Sequence, residues 1–185
     1  SSGNVYVAGR FKGEMDFDDD GTTEVTALDD ADGGSDAFVA KLNSSGTVVW
    51  WKVVGNTSDV SGQLDTAYGY GVGVDSSGNV YFGGQFTGTI DIDPSATTTA
   101  VSSTTTASKY DVFLVKLDSS GNTVWTRHWG GPHNDYLHDI AVDSSGNVVA
   151  VGRHRNGAGD VNYHPIAGGC TSSCGETLVT GHGGW

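Results

Sequence analysis

The amino-acid sequence predicts an all-β chain, and three observations support this prediction. Glycine accounts for 29 of the 185 residues, and glycine is costly inside helices but well suited to tight turns. No segment shows the sustained periodicity of an amphipathic helix. Short apolar runs bounded by turn residues recur along the chain, as expected for many short strands.

The composition predicts a folded, acidic protein. The chain carries 5 Trp, 7 Tyr and 6 Phe, which supply more apolar surface than a disordered chain has. Its 22 Asp and Glu residues outnumber 9 scattered Lys and Arg residues, and the formal net charge is −13. With no basic stripe to neutralise phosphates, we expect no nucleic-acid partner. No stretch approaches the roughly 20 apolar residues of a membrane span, and no signal-peptide pattern opens the sequence, so we expect a mature, soluble chain without membrane insertion.

An internal repeat is the main signal in the sequence. Residues 3–11, Gly-Asn-Val-Tyr-Val-Ala-Gly-Arg-Phe, return 75 positions later as residues 78–86. They return again as residues 146–154, a further 68 positions along. A second block, residues 36–46, recurs 75 positions later as residues 111–121. The chain is therefore built from copies of one unit.

Each unit is predicted to form a small antiparallel sheet. In the second copy, the strands are predicted at residues 68–74, 80–86, 89–92, 112–117 and 123–129. Asp-Ser-Ser-Gly turns are found at residues 75–78, 118–121 and 143–146. In such turns Asp bonds its own downstream backbone and Gly takes a positive φ, so these turns predict hairpins.

The fourth of these strands is apolar on both faces. Phe113, Val115 and Leu117 should point to one side, while Val112 and Leu114 point to the other. A sheet that is apolar on both faces needs a neighbour on each face. A sheet of about four strands that packs between copies of itself is a blade of a β-propeller. The predicted fold is therefore a set of antiparallel propeller blades.

The repeat also predicts the domain organisation. Blade units are expected at residues 1–67 and 68–135, with a partial unit at 136–165 and a degenerate segment at 166–185. This gives about two and a half four-stranded blades, whereas a closed propeller needs roughly four to eight. We therefore expect a partial propeller that belongs to a longer chain, or a ring closed by a homo-oligomer.

Several motifs of the repeat resemble a known family. They are Gly-Asn-Val-Tyr-x-x-Gly-x-Phe, then Gly-x-x-Asp-Phe-Asp at residues 13–18 and its Ile variant at 88–93, then Asp-x-Phe-x-x-Lys-Leu-x-x-x-Gly and Val-Trp. In this order they resemble the seven-bladed β-propeller repeat (SBBP) family of bacterial secreted and surface proteins. The resemblance covers residues 1 to about 165 and implies the propeller fold and a secreted or cell-surface location. It implies no catalytic residues.

An acidic run near the start of the chain is the best candidate for a metal site. Asp16, Asp18, Asp20 and Glu24 occupy loop positions 1, 3, 5 and 9 around a turn-forming Gly. Alternate carboxylates of a tight loop can converge on a hard cation, so the spacing predicts a possible Ca²⁺ site, although it does not fit an EF-hand, whose twelfth position would be Ala27. The alternative is that the first two acids are structural and the others are solvated. The equivalent loops carry poorer sets, which are Asp91, Asp93, Ser95 and Thr99 in the second copy and Asp160, Asn162 and His164 in the third.

The cysteines and histidines each allow two interpretations. Cys170 and Cys174 are the only cysteines, and a disulfide in a non-cytoplasmic protein explains them, since two thiolates alone cannot complete a zinc site. A reduced pair in a flexible tail is the alternative. All six histidines lie in the last third of the chain. Two or three of them could form a transition-metal site, or they are surface and loop residues.

The predicted function is binding rather than catalysis. Trp50 and Trp125 are repeat-equivalent and should pack in the core, whereas Trp51 aligns with Thr126 and is the candidate ligand contact. No nucleophile elbow, phosphate loop or zinc-protease motif is present, so we expect no catalytic residues. We expect a secreted or cell-surface module that binds protein or glycan and is stabilised by Ca²⁺. The alternative is a propeller enzyme, a hydrolase or lyase, that acts on polysaccharide, because one fold can host many activities.

Overall fold

The computed structural model of the chain describes residues 3–27, 34–56, 65–95, 99–103, 109–143, 146–154 and 162–164. These ranges contain fourteen β-strands and no helix, which confirms the all-β prediction, and they therefore hold no helix that could cross a membrane. The strands are β1 (Val5–Phe11), β2 (Glu14–Met15), β3 (Val25–Thr26), β4 (Asp36–Leu42), β5 (Val48–Asn56), β6 (Thr66–Val74), β7 (Val80–Thr87), β8 (Thr89–Asp91), β9 (Ala100–Ser102), β10 (Asp111–Leu117), β11 (Thr123–Gly130), β12 (Asp135–Val142), β13 (Val148–His154) and β14 (Asn162–His164).

Neighbouring strands pair antiparallel in three sheets and one small hairpin. The first sheet has the strand order β1-β4-β5-β8-β9, and the middle sheet has the order β14-β11-β10-β7-β6. The third sheet is β12-β13, and the small hairpin is β2-β3. Val5 lies opposite Leu42 in the first sheet, and Val80 lies opposite Leu117 in the middle sheet. The first two sheets therefore repeat the same register.

The strands and turns predicted for the second copy are confirmed. Each of β6, β7, β8, β10 and β11 begins and ends within two residues of its expected position. In the turn after β6, Asp75 Oδ1 accepts hydrogen bonds from the N–H groups of Ser77 and Asn79, both at 2.9 Å. Gly78 and Gly121 have φ angles of +81° and +86° in the two equivalent turns. Aspartate and glycine thus close these hairpins as their chemistry predicts.

The β8-β9 hairpin crosses from its own repeat unit to the sheet of the preceding unit. In sequence it lies between β7 and β10, yet β8 pairs with β5, with Gly55 opposite Asp91 and Asn56 opposite Ile90. The last described strand, β14, pairs in a similar way with β11. The two large sheets therefore have five strands each, where the sequence predicts about four. The difference arises because a segment of the next unit extends each sheet.

One face of the middle sheet packs against the first sheet. Phe82, Phe113 and Val115 of the middle sheet form one buried cluster with Ala37 and Val39 of the first sheet. The crossing hairpin adds its own apolar side chains to this cluster. Its contributions are Ile90, Ile92 and Val101.

The opposite face of the middle sheet packs against the third sheet. Val112 and Leu114 of β10 form a second buried cluster with Leu137 and Ile140 of β12. Successive residues of β10 therefore enter two different clusters, which confirms the predicted alternation. The middle sheet is covered on both faces, and burial of apolar surface on both sides is the main source of its stability.

Glycines in β6 allow the three sheets to come close together. A Cβ atom added at Gly69 would lie 2.6 Å from the carbonyl oxygen of Gly9 in the first sheet. A Cβ atom added at Gly73 would lie 2.6 Å from a side-chain carbon of Val142 in the third sheet. Any larger residue would therefore force the neighbouring sheets apart, and this explains the alternating glycines of the strand.

Phe38 and Phe113 occupy equivalent buried positions in the first two sheets, as the repeat predicts. Phe38 is 7% exposed and Phe113 is 0% exposed. Each ring lies over a glycine of the neighbouring strand, Gly9 in the first sheet and Gly84 in the middle sheet. The two phenylalanines therefore fill the same space in successive copies.

We expect that truncation of either ring to alanine will destabilise the fold. Phe38→Ala and Phe113→Ala should each lower the free energy of unfolding by roughly 3–5 kcal/mol, because each leaves a cavity in a packed interface. Urea denaturation of the two variants measures this. Val124→Ala is the control, because Val124 is 54% exposed and its truncation should change the free energy little. Losses near zero at both phenylalanines would show that these faces are not packed.

Candidate functional site

The acidic residues predicted to bind a metal lie together in the loop between β2 and β3. Asp16, Asp18, Asp20 and Glu24 each place a carboxylate oxygen within 4.8 Å of the others. The small hairpin holds the two ends of this loop in register, since Met15 pairs with Val25. The structure therefore brings together all four residues that the sequence selects.

Asp16 shapes the loop through hydrogen bonds to its backbone. Its Oδ1 atom accepts from the N–H groups of Asp18 at 3.2 Å and Asp19 at 2.7 Å, and its Oδ2 atom accepts from Gly21 at 3.0 Å. Asp19 and Gly21 both have left-handed backbone conformations, with φ of +57° and +87°. The loop curls around this carboxylate, so the structural role considered for Asp16 is present alongside its place in the cluster.

Asp18 joins the acidic loop to the first sheet. Its Oδ2 atom accepts a hydrogen bond from the N–H group of Val48, at the start of β5, at 3.0 Å. Its Oδ1 atom is buried and accepts no hydrogen bond from the described residues. A buried carboxylate oxygen without a donor is costly, and a cation or an ordered water molecule would satisfy it.

The other two acids are also fixed by local hydrogen bonds. Asp20 Oδ1 accepts from the hydroxyl of Thr22 at 2.6 Å and from its N–H group at 2.8 Å. These bonds stabilise the ionised carboxylate and so lower the pKa of Asp20 below its ordinary value. Glu24 Oε2 accepts from the N–H group of Phe17 at 2.6 Å. The result is a set of converging oxygen ligands of the kind that Ca²⁺ prefers.

The equivalent loop of the second copy does not form such a cluster. Asp91 Oδ1 accepts hydrogen bonds from the N–H groups of Asp93 and Thr99, and Asp93 Oδ1 accepts from that of Ser95. Among the side chains that the structure describes, the acidic loop is the only group of three or more potential metal ligands. The described side chains include no cluster of histidines that could hold a metal ion. The candidate ligands of the third copy, which are Asp160 and the side chains of Asn162 and His164, lie outside the described part of the chain, and so do Cys170 and Cys174.

Trp51, the predicted ligand contact, lies on a groove that we call the Trp51 groove. The indole is 37% exposed, and the groove has a volume of about 530 Å³. The groove is lined by Val25 and Thr26 of β3, Trp50, Trp51, Lys52 and Val53 of β5, and Asp91, Asp93, Pro94 and Ser95 at the end of β8 and beyond. Trp51 is therefore accessible, as its departure from the repeat predicts.

Trp50 and Trp125 are half-buried and pack against the edges of the two main buried clusters, so the core packing that the repeat predicts is present only in part. Trp50 packs against Tyr6 with ring centroids 6.3 Å apart, and Trp125 packs against Tyr81 at 6.1 Å, each with the edge of one ring toward the face of the other. The two pairs are repeat-equivalent. They stabilise the same contact in successive sheets.

Sequence analysis missed a row of tyrosines that joins the three sheets. Tyr110 lies between Tyr68 and Tyr136, with ring centroids 5.8 Å and 5.7 Å away. Arg10 covers Tyr68 at 4.6 Å, and Arg153 covers Tyr136 at 4.8 Å. The row thus runs from the first sheet across the middle sheet to the third, and its cation–π contacts add to the stacking.

A partial signal for this row exists in the sequence. Tyr68 and Tyr136 are repeat-equivalent, and Arg10 and Arg153 are also equivalent to each other. Tyr110, which completes the row, replaces Ser35 of the first copy. A pattern search along one chain does not show that these five residues meet, because they come from five separate segments.

Two comparisons with known proteins found no relative of this chain. A scan against models of known protein families finds no match, and a search of curated proteins finds no significantly similar sequence. The resemblance to the SBBP repeat therefore rests on the spaced motifs alone.

We expect Tyr110 to titrate at unusually high pH. Burial, together with a hydrogen bond to Tyr68, raises the pKa of Tyr110 from 10.0 to about 12. The folded state favours the neutral phenol, so its contribution to stability is complete below pH 10 and is lost as the pH rises toward 12. Absorbance at the phenolate band, followed against pH, should show a late step that Tyr110→Phe removes. Tyr6→Phe is the control, because Tyr6 packs on Trp50 and lies outside the row, and it should leave that step in place. Survival of the late step in Tyr110→Phe would contradict the assignment.

Proposed function

We propose that this chain is a non-catalytic β-propeller module of the type found in SBBP-like secreted and surface proteins. Its sheets act as blades that assemble through their open faces, either as a homo-oligomer or within a longer chain. The assembled module presents surfaces for a protein or glycan ligand, and Ca²⁺ stabilises it. The order in which the sheets stack supports this proposal, because each successive repeat covers the one before it.

The observation that carries the proposal is a difference in burial between repeat-equivalent positions. Val80 and Phe82 of the middle sheet are 0% exposed, because the first sheet covers them. Val5 and Val7 hold the same positions in the first sheet and are 52% and 40% exposed. The same apolar face is therefore covered in the middle sheet and exposed in the first sheet.

The third sheet carries the complementary kind of open face. In the first sheet, Tyr6 and Ala8 of β1 pack onto the middle sheet. Their equivalents in the third sheet, Val149 and Val151 of β13, are 37% and 46% exposed. The open face of the third sheet therefore carries the residues that would cover a following sheet. The open face of the first sheet carries the residues that a preceding sheet would cover.

These two open faces support head-to-tail assembly. An interface between unlike faces is heterologous, and it closes into a ring when the rotation between copies allows it. Each of the valines on these faces is already about half-buried, so covering the rest of it stabilises the assembly by roughly 1 kcal/mol. Stacked repeats also gain much of their stability from such nearest-neighbour interfaces.

A secreted or cell-surface location belongs to the same proposal. The resemblance to bacterial surface proteins supports it, and so does the Cys170–Cys174 pair, because disulfides persist in oxidising compartments. Calcium sites of modest affinity also suit extracellular modules, which work at roughly millimolar Ca²⁺.

The proposed role of Ca²⁺ is to hold the acidic loop against the first sheet. The cation supplies positive charge to four carboxylates that lie within 4.8 Å of one another and would otherwise repel. Asp18 transmits this effect, since its other oxygen is bonded to the backbone of β5. The buried, unpartnered Oδ1 atom of Asp18 is the observation that best supports a bound cation.

We expect the particle to be larger than one chain. Light scattering should give a mass well above 19.1 kDa, because the open faces of the outer sheets pair. The double variant Val5→Glu, Val7→Glu should shift the mass to that of one chain by placing charge in the interface. Val124→Glu is the matched control, since Val124 and its repeat equivalent Val49 are both exposed within the stack, at 54% and 51%. A stable, monodisperse monomer of the unaltered chain would contradict the proposal.

We expect Ca²⁺ to raise the melting temperature. A ligand that binds only the folded state stabilises it by about 2.7 kcal/mol at 100 times its dissociation constant. Melting curves in EDTA and in excess Ca²⁺ should therefore differ for the unaltered chain, and they should coincide for the double variant Asp18→Asn, Asp20→Asn. Asp19→Asn is the matched control, because Asp19 lies in the same loop but outside the cluster. If EDTA and Ca²⁺ give one curve for the unaltered chain, the site does not bind calcium.

A further inference from the structure

We infer that the Trp51 groove binds an uncharged oligosaccharide. The inference rests on the proposed function of the chain as a binding module, and it adds the position of the site and the class of ligand. The groove volume of about 530 Å³ falls within the range of roughly 300–1,000 Å³ that is typical of ligand sites. The groove is lined by β3, by β5 and by the segment that follows β8.

Trp51 offers an aromatic surface that the fold itself does not require. Its equivalent in the middle sheet is Thr126, so the repeat packs without an indole at this position. A large aromatic side chain that is 37% exposed loses apolar contact with water when a ligand covers it. An indole face combines a flat apolar surface with a polar N–H group, and this matches a sugar ring, which has apolar C–H faces and hydroxyl edges.

Two carboxylates in the groove are held in place as hydrogen-bond acceptors. The Oδ1 atoms of Asp91 and Asp93 are occupied by backbone N–H groups of their own loop, at distances of 2.9–3.0 Å. Their Oδ2 atoms accept no hydrogen bond from the part of the chain that the structure describes. A carboxylate that is oriented in advance binds a hydroxyl donor at a lower entropic cost. Sugar hydroxyl groups supply such donors.

The charge of the groove favours a neutral ligand. Asp91 and Asp93 place two negative charges there against the single positive charge of Lys52, and the whole chain carries −13. An acidic glycan would therefore meet repulsion both locally and at longer range. An uncharged oligosaccharide avoids that repulsion and still uses the acceptors.

An extended peptide is the competing occupant. β8 pairs only with Gly55 and Asn56 of β5, so no described strand covers the outer edge of β5 beside the groove. A peptide could add there as a strand through backbone hydrogen bonds. The sugar is favoured because the groove concentrates side-chain acceptors and an indole, which a main-chain interaction does not use.

Titration calorimetry on the whole chain in millimolar Ca²⁺ tests the inference. The probes are cellohexaose, mannohexaose and xylohexaose, with hexagalacturonate as the acidic comparator. At least one neutral hexaose should bind, and Trp51→Thr, which installs the residue of the second copy, should weaken it by about tenfold or more. Asp93→Asn should also weaken binding, because it removes a charged acceptor without changing shape. Val49→Thr is the matched control, since Val49 is exposed on the same strand outside the groove, and its binding should be unchanged.

Three outcomes would overturn the inference. They are the absence of binding by every neutral hexaose, tighter binding of hexagalacturonate, and equal affinity in the unaltered chain and in both groove variants. Binding of extended peptides in place of the hexaoses would assign the groove to a protein ligand. If Trp51→Thr does not fold, Asp93→Asn decides the result. The proposed function is tested separately, by the particle mass and by the Ca²⁺-dependent melting temperature. If a neutral hexaose binds equally well to both groove variants, the chain binds glycans, but at a site outside the Trp51 groove.

Discussion

Strands that are apolar on both faces impose the constraint on which the rest of this structure depends. In β10, alternate side chains enter two different buried clusters, so the strand is stable only when a sheet covers each side. The repeat meets this requirement by stacking each sheet on the next. The glycines of β6 follow from the same constraint, because the sheets lie too close there for a Cβ atom. Where no preceding sheet is present, the equivalent positions Val5 and Val7 remain exposed.

The two short hairpins, β2-β3 in the first unit and β8-β9 in the second, differ from the sheets in their role. In the second unit the hairpin crosses to extend the preceding sheet and contributes Ile90 to the shared cluster. In the first unit it carries the acidic loop, which Asp18 fastens to β5. Residues of both hairpins line the Trp51 groove. The acidic loop and Trp51, which differ between copies, therefore lie on a hairpin and on the strand beside it.

The sequence predicts this structure well wherever a signal is local. The Asp-Ser-Ser-Gly turns, the strand positions and the alternation of β10 all follow from short-range chemistry, and the acidic loop converges because its residues lie within one turn. The crossing of β8 to β5 could not be predicted, because pairing between units depends on how the sheets pack and not on the composition of the hairpin. The Tyr110 row escaped prediction for the same reason, since the stacking of the sheets brings its members together.

Hydrogen exchange over β1 and β7 tests most directly the claim that each sheet is protected by its neighbour. These strands are repeat-equivalent, but only β7 is covered on both faces within one chain. The comparison is made between the β7 amides that bond to β10 and the equivalent β1 amides that bond to β4, because β1 is an edge strand. In dilute protein, where chains are separate, these amides of β7 should exchange slowly and those of β1 much faster. At concentrations where chains assemble, exchange in β1 should slow toward that of β7. Equal exchange of β1 and β7 in separate chains would contradict the account, because it would mean that protection does not come from the neighbouring sheet.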